Sequence, residues 1–391
     1  MQDPICPEIM SNYTSEIENF HCRGCGSKKE VRSDLKNSDE VLKKAVPLAR
    51  ENRKEWGLEG LIKGLQAVII NTENEKLVPA SQELLDFTGY KLSGSFEDRK
   101  KKSILLGMEG SADIIVRHRK HGKNPFVPYN IGPKTEHMPN TRLETLVFEC
   151  SDIERYFRVQ MERGVRFLQD EIVHNDNYSF IQTVPSSYTG NSIGFIQWKG
   201  KRGDYMNDGD SEMRTTLEKK NKDYLKNMKQ LDHSATRLGS MDRDAAIIEF
   251  VELTNYDFDF AIYVKSFNSI TNVARLTKDG YAQVFTTGIE PFRTLETSGP
   301  TENYVHNYGP RIHHMAFHTE NIEDSFEALV QDGMEFLLEL VGSPEEGLKQ
   351  TFTKGSKNTF LVNEYIHRYG DFDGFFTNSN VTELTRATDA Q

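Results

Sequence analysis

The chain has 391 residues, 37% of them hydrophobic and 27% charged, and a formal net charge of −11. That length suits two to three domains with their own cores, and the charge argues against a general nucleic-acid or anionic-membrane binder. No apolar run approaches the roughly 18 residues of a membrane span, and the opening MQDPICPEIMSNYTSEIENF lacks the basic and apolar regions of a secretory signal, so a cytoplasmic protein is expected.

Residues 1–60 read as an N-terminal extension, partly helical around DEVLKKAV, with the helix ending near Pro47. Cys6, His21, Cys22 and Cys25 fall in this extension. A Cys-x-x-Cys pair with a further cysteine and a histidine is half of a tetrahedral zinc site. No second pair follows, so reduced thiols are expected there. Cys150, in LETLVFEC, reads as a small core residue.

Internal repeats organise the rest. VFECSDIERYFRVQMERGVRFL (147–168) and AFHTENIEDSFEALVQDGMEFL (316–337) align without a gap. Phe148/Phe317, Ile153/Ile322, Glu154/Glu323, Phe157/Phe326, Gly164/Gly333, Phe167/Phe336 and Leu168/Leu337 are identical. Each copy reads as an alternating strand, a polar turn with N-cap candidates (Ser151-Asp152, Glu320-Asn321), an amphipathic helix closed by glycine, and a new strand from Val165 or Met334.

Weaker copies begin at Leu65 (LQAVIINTENEKLVPASQELLDFTGYKL) and Leu231 (LDHSATRLGSMDRDAAIIEFVELTNYDF). Further strand-like runs follow, among them KSILLGM, ADIIVRH, SFIQTVP and GFIQWKG. The fold class is therefore α+β, built from four βαβββ units paired into two halves, 61–200 and 229–391. Residues 201–228 form a charged linker with a solvated helix. Paired units curl their strands into a cup, a natural place for a metal and a small ligand.

Differences between copies carry the chemistry. The first strand of the third unit bears His233 where the first unit has Ala67. The first strand of the fourth unit bears His314 where the second has Thr145. A lone strand histidine is ordinarily a packed or surface residue, but two on corresponding strands point to a shared ligand. Alternation lets only one of His313 and His314 face the cup, and pattern alone leaves that choice open. In NTFLVNEYIHRYG, Phe360, Val362, Glu364 and Ile366 share a face. A carboxylate among apolar side chains needs a partner, and a metal is one. Two histidines and one carboxylate are the facial triad of non-haem iron(II) oxygenases. An anionic substrate would find its positive centre there.

The second half resembles 4-hydroxyphenylpyruvate dioxygenase, of the vicinal oxygen chelate superfamily. SGPTENYVHNYGPRIHHMAFHTENI resembles the stretch leading into that family's second metal histidine and favours His314. LDH at 231–233 resembles the segment of the first, EYIHR at 364–368 the strand of the metal glutamate, and GFFTNSNVTEL at 374–384 the motif opening the lid helix. The resemblance covers about residues 61–391 and implies two vicinal oxygen chelate modules, the first without metal. It implies His233, His314 and Glu364 as metal and catalytic residues, Fe(2+) as cofactor, and a 2-oxo acid and dioxygen as partners. The acid chelates the iron, loses carbon dioxide and is hydroxylated in the same molecule, without added 2-oxoglutarate. Aromatic amino acid catabolism is the implied setting, and a homodimer the expected assembly.

The resemblance weakens at the aryl-binding positions. Gly299 and His313 stand where the family has glutamines, Ile289 where it has asparagine, and Ala274 where it has serine. A pocket without those groups binds a phenol less specifically, so a phenyl or alkyl 2-oxo acid is as consistent with it as 4-hydroxyphenylpyruvate. Phe372, Phe375, Phe376 and Asn380 are the C-terminal residues expected at the pocket. Alternatives are another vicinal oxygen chelate enzyme, such as an extradiol dioxygenase or isomerase, or a metal-free small-ligand-binding protein. HHMAFH lacks the HExxH spacing of a hydrolytic zinc site.

Overall fold

The computed structural model describes residues 34–207 and 209–391, so Cys6, His21, Cys22 and Cys25 lie outside the described residues. Among the described residues, runs rich in β-branched and aliphatic residues give seventeen strands in two sheets. The first sheet takes β1 (Ile62–Asn71), β2 (Lys91–Glu97), β3 (Lys101–Gly107), β4 (Asp113–Arg119), β5 (Arg142–Cys150), β6 (Val173–His174), β7 (Tyr178–Gln182), β8 (Ser192–Trp198) and β9 (Ser211–Glu212). Its spatial order is β6-β7-β8-β5-β1-β4-β3-β2-β9. The second takes β10 (Met228–Arg237), β11 (Asp257–Val264), β12 (Ser269–Arg275), β13 (Ala282–Thr287), β14 (Arg311–Thr319), β15 (Val341–Ser343), β16 (Leu348–Phe352) and β17 (Val362–Arg368). Its order is β11-β12-β13-β10-β14-β17-β16-β15.

The two orders are the same path walked twice, with β9 as an added edge. Each sheet has a central antiparallel pair (β1·β5, β10·β14) flanked by parallel partners (β4 and β8, β13 and β17). Ala67 pairs with Val147 as His233 pairs with Ala316, so the gapless repeat is a structural equivalence. The pair also slips in register three times, at the same places in each copy, and the last slip lies beside the second histidine. Ile69 pairs with Thr145 but Ile70 with Leu143; Ala235 pairs with His314 but Thr236 with Ile312. Glu144 and His313 are the extra residues of these bulges.

Seven α-helices stand among the described residues: α1 (Glu40–Glu55), α2 (Leu77–Phe87), α3 (Ile153–Glu162), α4 (Arg243–Leu253), α5 (Pro300–Tyr308), α6 (Ile322–Gln331) and α7 (Asn378–Ala387). Asp152 caps α3 by accepting from the Arg155 N–H at 3.1 Å, whereas Asn321 heads α6 at φ 44° without a side-chain cap bond. Gly164 and Gly333 end these helices at φ 80° and 86°, a conformation glycine adopts without strain. Beyond them only single bridges form, Phe167 to Thr183 and Phe336 to Thr353, and the strands expected from Val165 and Met334 start later.

Two further expectations are corrected. The helix expected to end near Pro47 runs through it to Glu55. An internal proline costs about 3 kcal/mol, but α1 buries Leu42, Ala45, Val46, Ala49 and Arg53. Arg53 donates to the carbonyl of Val251 in the last turn of α4 and to those of Thr254 and Tyr256 beyond it. Among its described residues the linker holds no α-helix; it has the short β9 and a 3-10 turn at Asp223–Asn227. Its few apolar side chains anchor it singly. Tyr205 enters the cup of the first sheet beside Trp198 and Tyr178 and donates to Asp113 Oδ2 at 2.9 Å.

One apolar core joins both sheets. Phe148 of β5 meets Phe250 of α4 and Tyr256, ring to ring at 5.9 and 5.3 Å. The interface is also tied reciprocally by two buried arginines. Arg142 donates to the Pro310 carbonyl at 2.5 Å, and its repeat partner Arg311 donates to the Thr141 carbonyl at 2.7 Å.

Candidate metal centre

His233 comes from β10, His314 from β14 and Glu364 from β17, three adjacent central strands of the second sheet. One ligand atom from each lies within 4.8 Å of the others, and no second such group of three exists among the described residues. Glu364 Oε2 is 3.1 Å from His233 Nε2 and 3.3 Å from His314 Nε2. All three side chains are buried. At the equivalent places the first sheet carries Ala67, Thr145 and Gly194, none of them a metal ligand.

A second layer fixes the first. Asp232 Oδ1 lies 2.7 Å from His233 Nδ1, so it accepts that proton and leaves Nε2 facing the centre. Arg368 holds Asp232 at 2.6 and 3.1 Å. His313 Nδ1 is 2.8 Å from His314 Nδ1, and His313 Nε2 is 2.8 Å from Gln391 Oε1. The bulge explains this contact. An unpaired residue escapes strict alternation, so both neighbouring histidines are buried beside each other.

The electrostatics separate the two imidazoles. Burial works to lower His233, but Glu364 and Asp232 outweigh it and hold it at about 9. Burial, reinforced by His313, His233 and Arg237, drives His314 well below its ordinary value and keeps it neutral. Burial works to raise Asp232, yet Arg368 and His233 hold it below the usual carboxylate range.

This donor set fits a divalent metal. Two imidazole nitrogens and one carboxylate on adjacent strands form one face of a coordination shell and leave other positions for substrate. Glu364 Oε1 is buried with no hydrogen-bond partner, the kind of orphaned anionic atom that a cation satisfies.

Aromatic side chains close over the centre. Phe375 and Phe376 lie 5.4 and 5.2 Å from the His233 ring, and Phe352 lies 4.7 Å from the His314 ring. Phe372 packs with Phe376 on Ala316, Leu348 and Ile366. Asn380 is buried on α7, donates to the Val341 carbonyl at 3.3 Å and leaves Oδ1 unpaired.

Three of the expected pocket positions take the following places in the fold. Ala274 belongs to the core shared with the helices; its neighbour Val273 takes the cup face with Phe375. Gly299 is a backbone device at φ 81° heading α5, where an added Cβ would meet the Phe267 carbonyl at 2.3 Å. Ile289 lies past β13, its carbonyl accepting from Asn37, and is not among the side chains packed with Phe375 or Phe376. Phe360 also leaves the face it was expected to share with Glu364: it precedes β17 at φ 65° and packs under Arg311.

Asp232, Arg368 and Gln350 were not singled out from sequence. Arg368 follows Glu364 by four residues, hence on the same face of β17. Gln350 lies between Leu348 and Phe352 on β16, fully buried, with neither amide atom paired.

No protein-family model matches the chain, and no curated protein matches it by sequence. Solved structures match it in fold. A triple mutant of 4-hydroxymandelate synthase from Streptomyces coelicolor superposes with a TM-score of 0.63 at 15% identity, over 84% of this chain and 98% of that one. A xylose isomerase-like TIM barrel/4-hydroxyphenylpyruvate dioxygenase fusion protein gives 0.61 at 12% identity, over 90% of this chain and 58% of that one. No helix among the described residues is long and apolar enough to cross a membrane. The chain thus shares its fold with these two solved proteins: two paired modules of matching strand order, with α1 ahead of them.

Proposed function

We propose that this chain is an iron(II)-dependent dioxygenase that oxidatively decarboxylates a 2-oxo acid and hydroxylates the same molecule. The observation that carries the reading is the meeting of His233, His314 and Glu364 within 4.8 Å, where the other module has only Ala67, Thr145 and Gly194. The fold shared with a 4-hydroxymandelate synthase and a 4-hydroxyphenylpyruvate dioxygenase fusion protein supports it.

His233, His314 and Glu364 would hold the metal. Bound iron(II) would supply a Lewis acid that chelates the 2-oxo acid group and admits dioxygen. The chain's own side chains set the conditions. Asp232, held by Arg368, keeps His233 in the tautomer with Nε2 inward. Neutral His314 offers a lone pair. Phe352, Phe375 and Phe376 exclude water and protect reactive species from side reactions. Gln350 and Asn380 carry unpaired amide atoms that suit the orientation of a polar substrate.

The test is oxygen uptake by iron-loaded protein with 4-hydroxyphenylpyruvate, phenylpyruvate and branched or thioether 2-oxo acids. At least one is consumed with equal amounts of oxygen and released carbon dioxide and no added 2-oxoglutarate. Uptake with none of them contradicts the proposal.

A further inference from the structure

Six arginines are buried among the described residues. Three have carboxylate partners: Arg53 with Glu59 and Asp257, Arg163 with Glu252, and Arg243 with Asp39 and Asp244. Arg142, Arg237 and Arg311 have none, though they are 0, 4 and 1% exposed. They are not scattered. All three act on the hydroxyl of one buried residue, Tyr304 of α5. Arg237 and Arg311 stand directly opposite each other across β10 and β14, where like charges repel. The Arg237 guanidinium lies 4.8 Å over the Tyr304 ring.

Arg142 uses its terminal nitrogens on the carbonyls of Tyr129, Thr189 and Pro310 and on Asn130 Oδ1. The terminal nitrogens of the other two are not all used. Arg237 gives Nη2 to Thr388 Oγ1 and Arg311 gives Nη2 to the Thr141 carbonyl. Arg237 Nη1, Arg311 Nη1 and the Tyr304 hydroxyl are buried with no hydrogen-bond partner. Water would satisfy these donors but leave the charge uncompensated in a low-dielectric setting, whereas an anion does both. The cluster adjoins the triad. The Tyr304 ring meets the His313 ring edge-on at 4.9 Å, and His313 touches His314.

We propose that Arg237, Arg311 and Tyr304 form a buried carboxylate-binding site one side chain removed from the triad. Guanidinium groups match carboxylate geometry, and the tyrosine hydroxyl adds a third donor. The carboxylate is either the far end of a dicarboxylic 2-oxo acid, an assignment that rests on the proposed function, or a free small carboxylate.

Acetate is the first probe, titrated into the iron-loaded full chain in chloride-free buffer and followed by thermal shift. Wild type gives a saturable rise in melting temperature. Arg237→Met weakens acetate at least tenfold, and Tyr304→Phe, which keeps the ring and the fold, at least threefold. No saturable effect in wild type, or unchanged affinity in Tyr304→Phe and in folded Arg237→Met, overturns the site. The second probe is oxygen uptake with 2-oxoadipate against 2-oxohexanoate. A tenfold kcat/KM preference for the diacid, lost in Arg237→Met, assigns the site to substrate. Equal kcat/KM values with acetate binding intact assign it to a free carboxylate. Turnover of neither counts against the proposed function alone, because the acetate titration still decides the site.

Discussion

Gly194 and Glu364 stand at the same place in the two sheets: Gly194 pairs with Val147 of β5 as Glu364 pairs with Ala316 of β14. The first cup has no room for the acid. A Cβ at Gly194 would already meet Phe180, Val147 and Thr145 at 3.1–3.2 Å. Gly194→Glu therefore buries an unpaired carboxylate among apolar groups and destabilises the chain by about 3 kcal/mol. Urea unfolding checks this; a loss well below 1 kcal/mol would show that the cup is open to water.

Asp232 is not one of the three ligands but orients one of them. Asp232→Asn keeps the volume and removes the charge that holds the His233 proton on Nδ1. Iron(II) affinity falls by about 10- to 100-fold, with the far-ultraviolet circular dichroism unchanged. An anaerobic titration that gave wild-type affinity would remove Asp232 from the site.

Gln350 has both amide atoms buried and unpaired. Gln350→Leu therefore raises stability by about 1–2 kcal/mol, because the desolvation cost of two orphaned groups disappears. It lowers kcat/KM on any substrate whose polar end the amide orients. Thermal unfolding and oxygen uptake measure the two effects, and lower stability in the variant would mean that the amide has a partner.

Glu249 of α4 accepts from Ser186 Oγ, but its Oε1 has no partner. Beside it is a cavity of about 30 Å³, lined in part by Thr189, Asn191, Thr236 and Gln283. Burial pushes its carboxyl up to about 7, with the Ser186 hydrogen bond opposing. The unfolded chain loses that proton near pH 4.3. Between the two values the folded chain keeps a proton that the unfolded chain has released. Stability is therefore intact below about pH 4.3 and declines up to about 7, by at most about 4 kcal/mol. Glu249→Gln matches wild type at pH 4 and exceeds it at pH 8. A difference independent of pH, measured by denaturant unfolding, would contradict the burial argument.

Much of this arrangement is legible in the sequence because duplication supplies its own control. The gapless match of 147–168 with 316–337 aligns β5 and β14, and the same comparison sets His233 against Ala67 and His314 against Thr145. Other features are written in tertiary contacts. The His313 bulge is a register slip, and period-two reading assumes there is none. Pro47 reads as a helix end until the packing of α1 is known. The backbone role of Gly299 depends on the Phe267 carbonyl, more than thirty residues earlier. Gln350 looks like an ordinary polar strand residue, since its burial depends on tertiary packing that strand periodicity does not report.

Anaerobic titration of iron(II) into metal-free wild type and into a His233→Ala/Glu364→Ala double variant tests the central claim most directly. Wild type takes up close to one iron per chain, and the double variant, folded by circular dichroism, takes up none at the same free metal concentration. Equal uptake by the two would place the metal elsewhere and contradict the assignment of His233, His314 and Glu364.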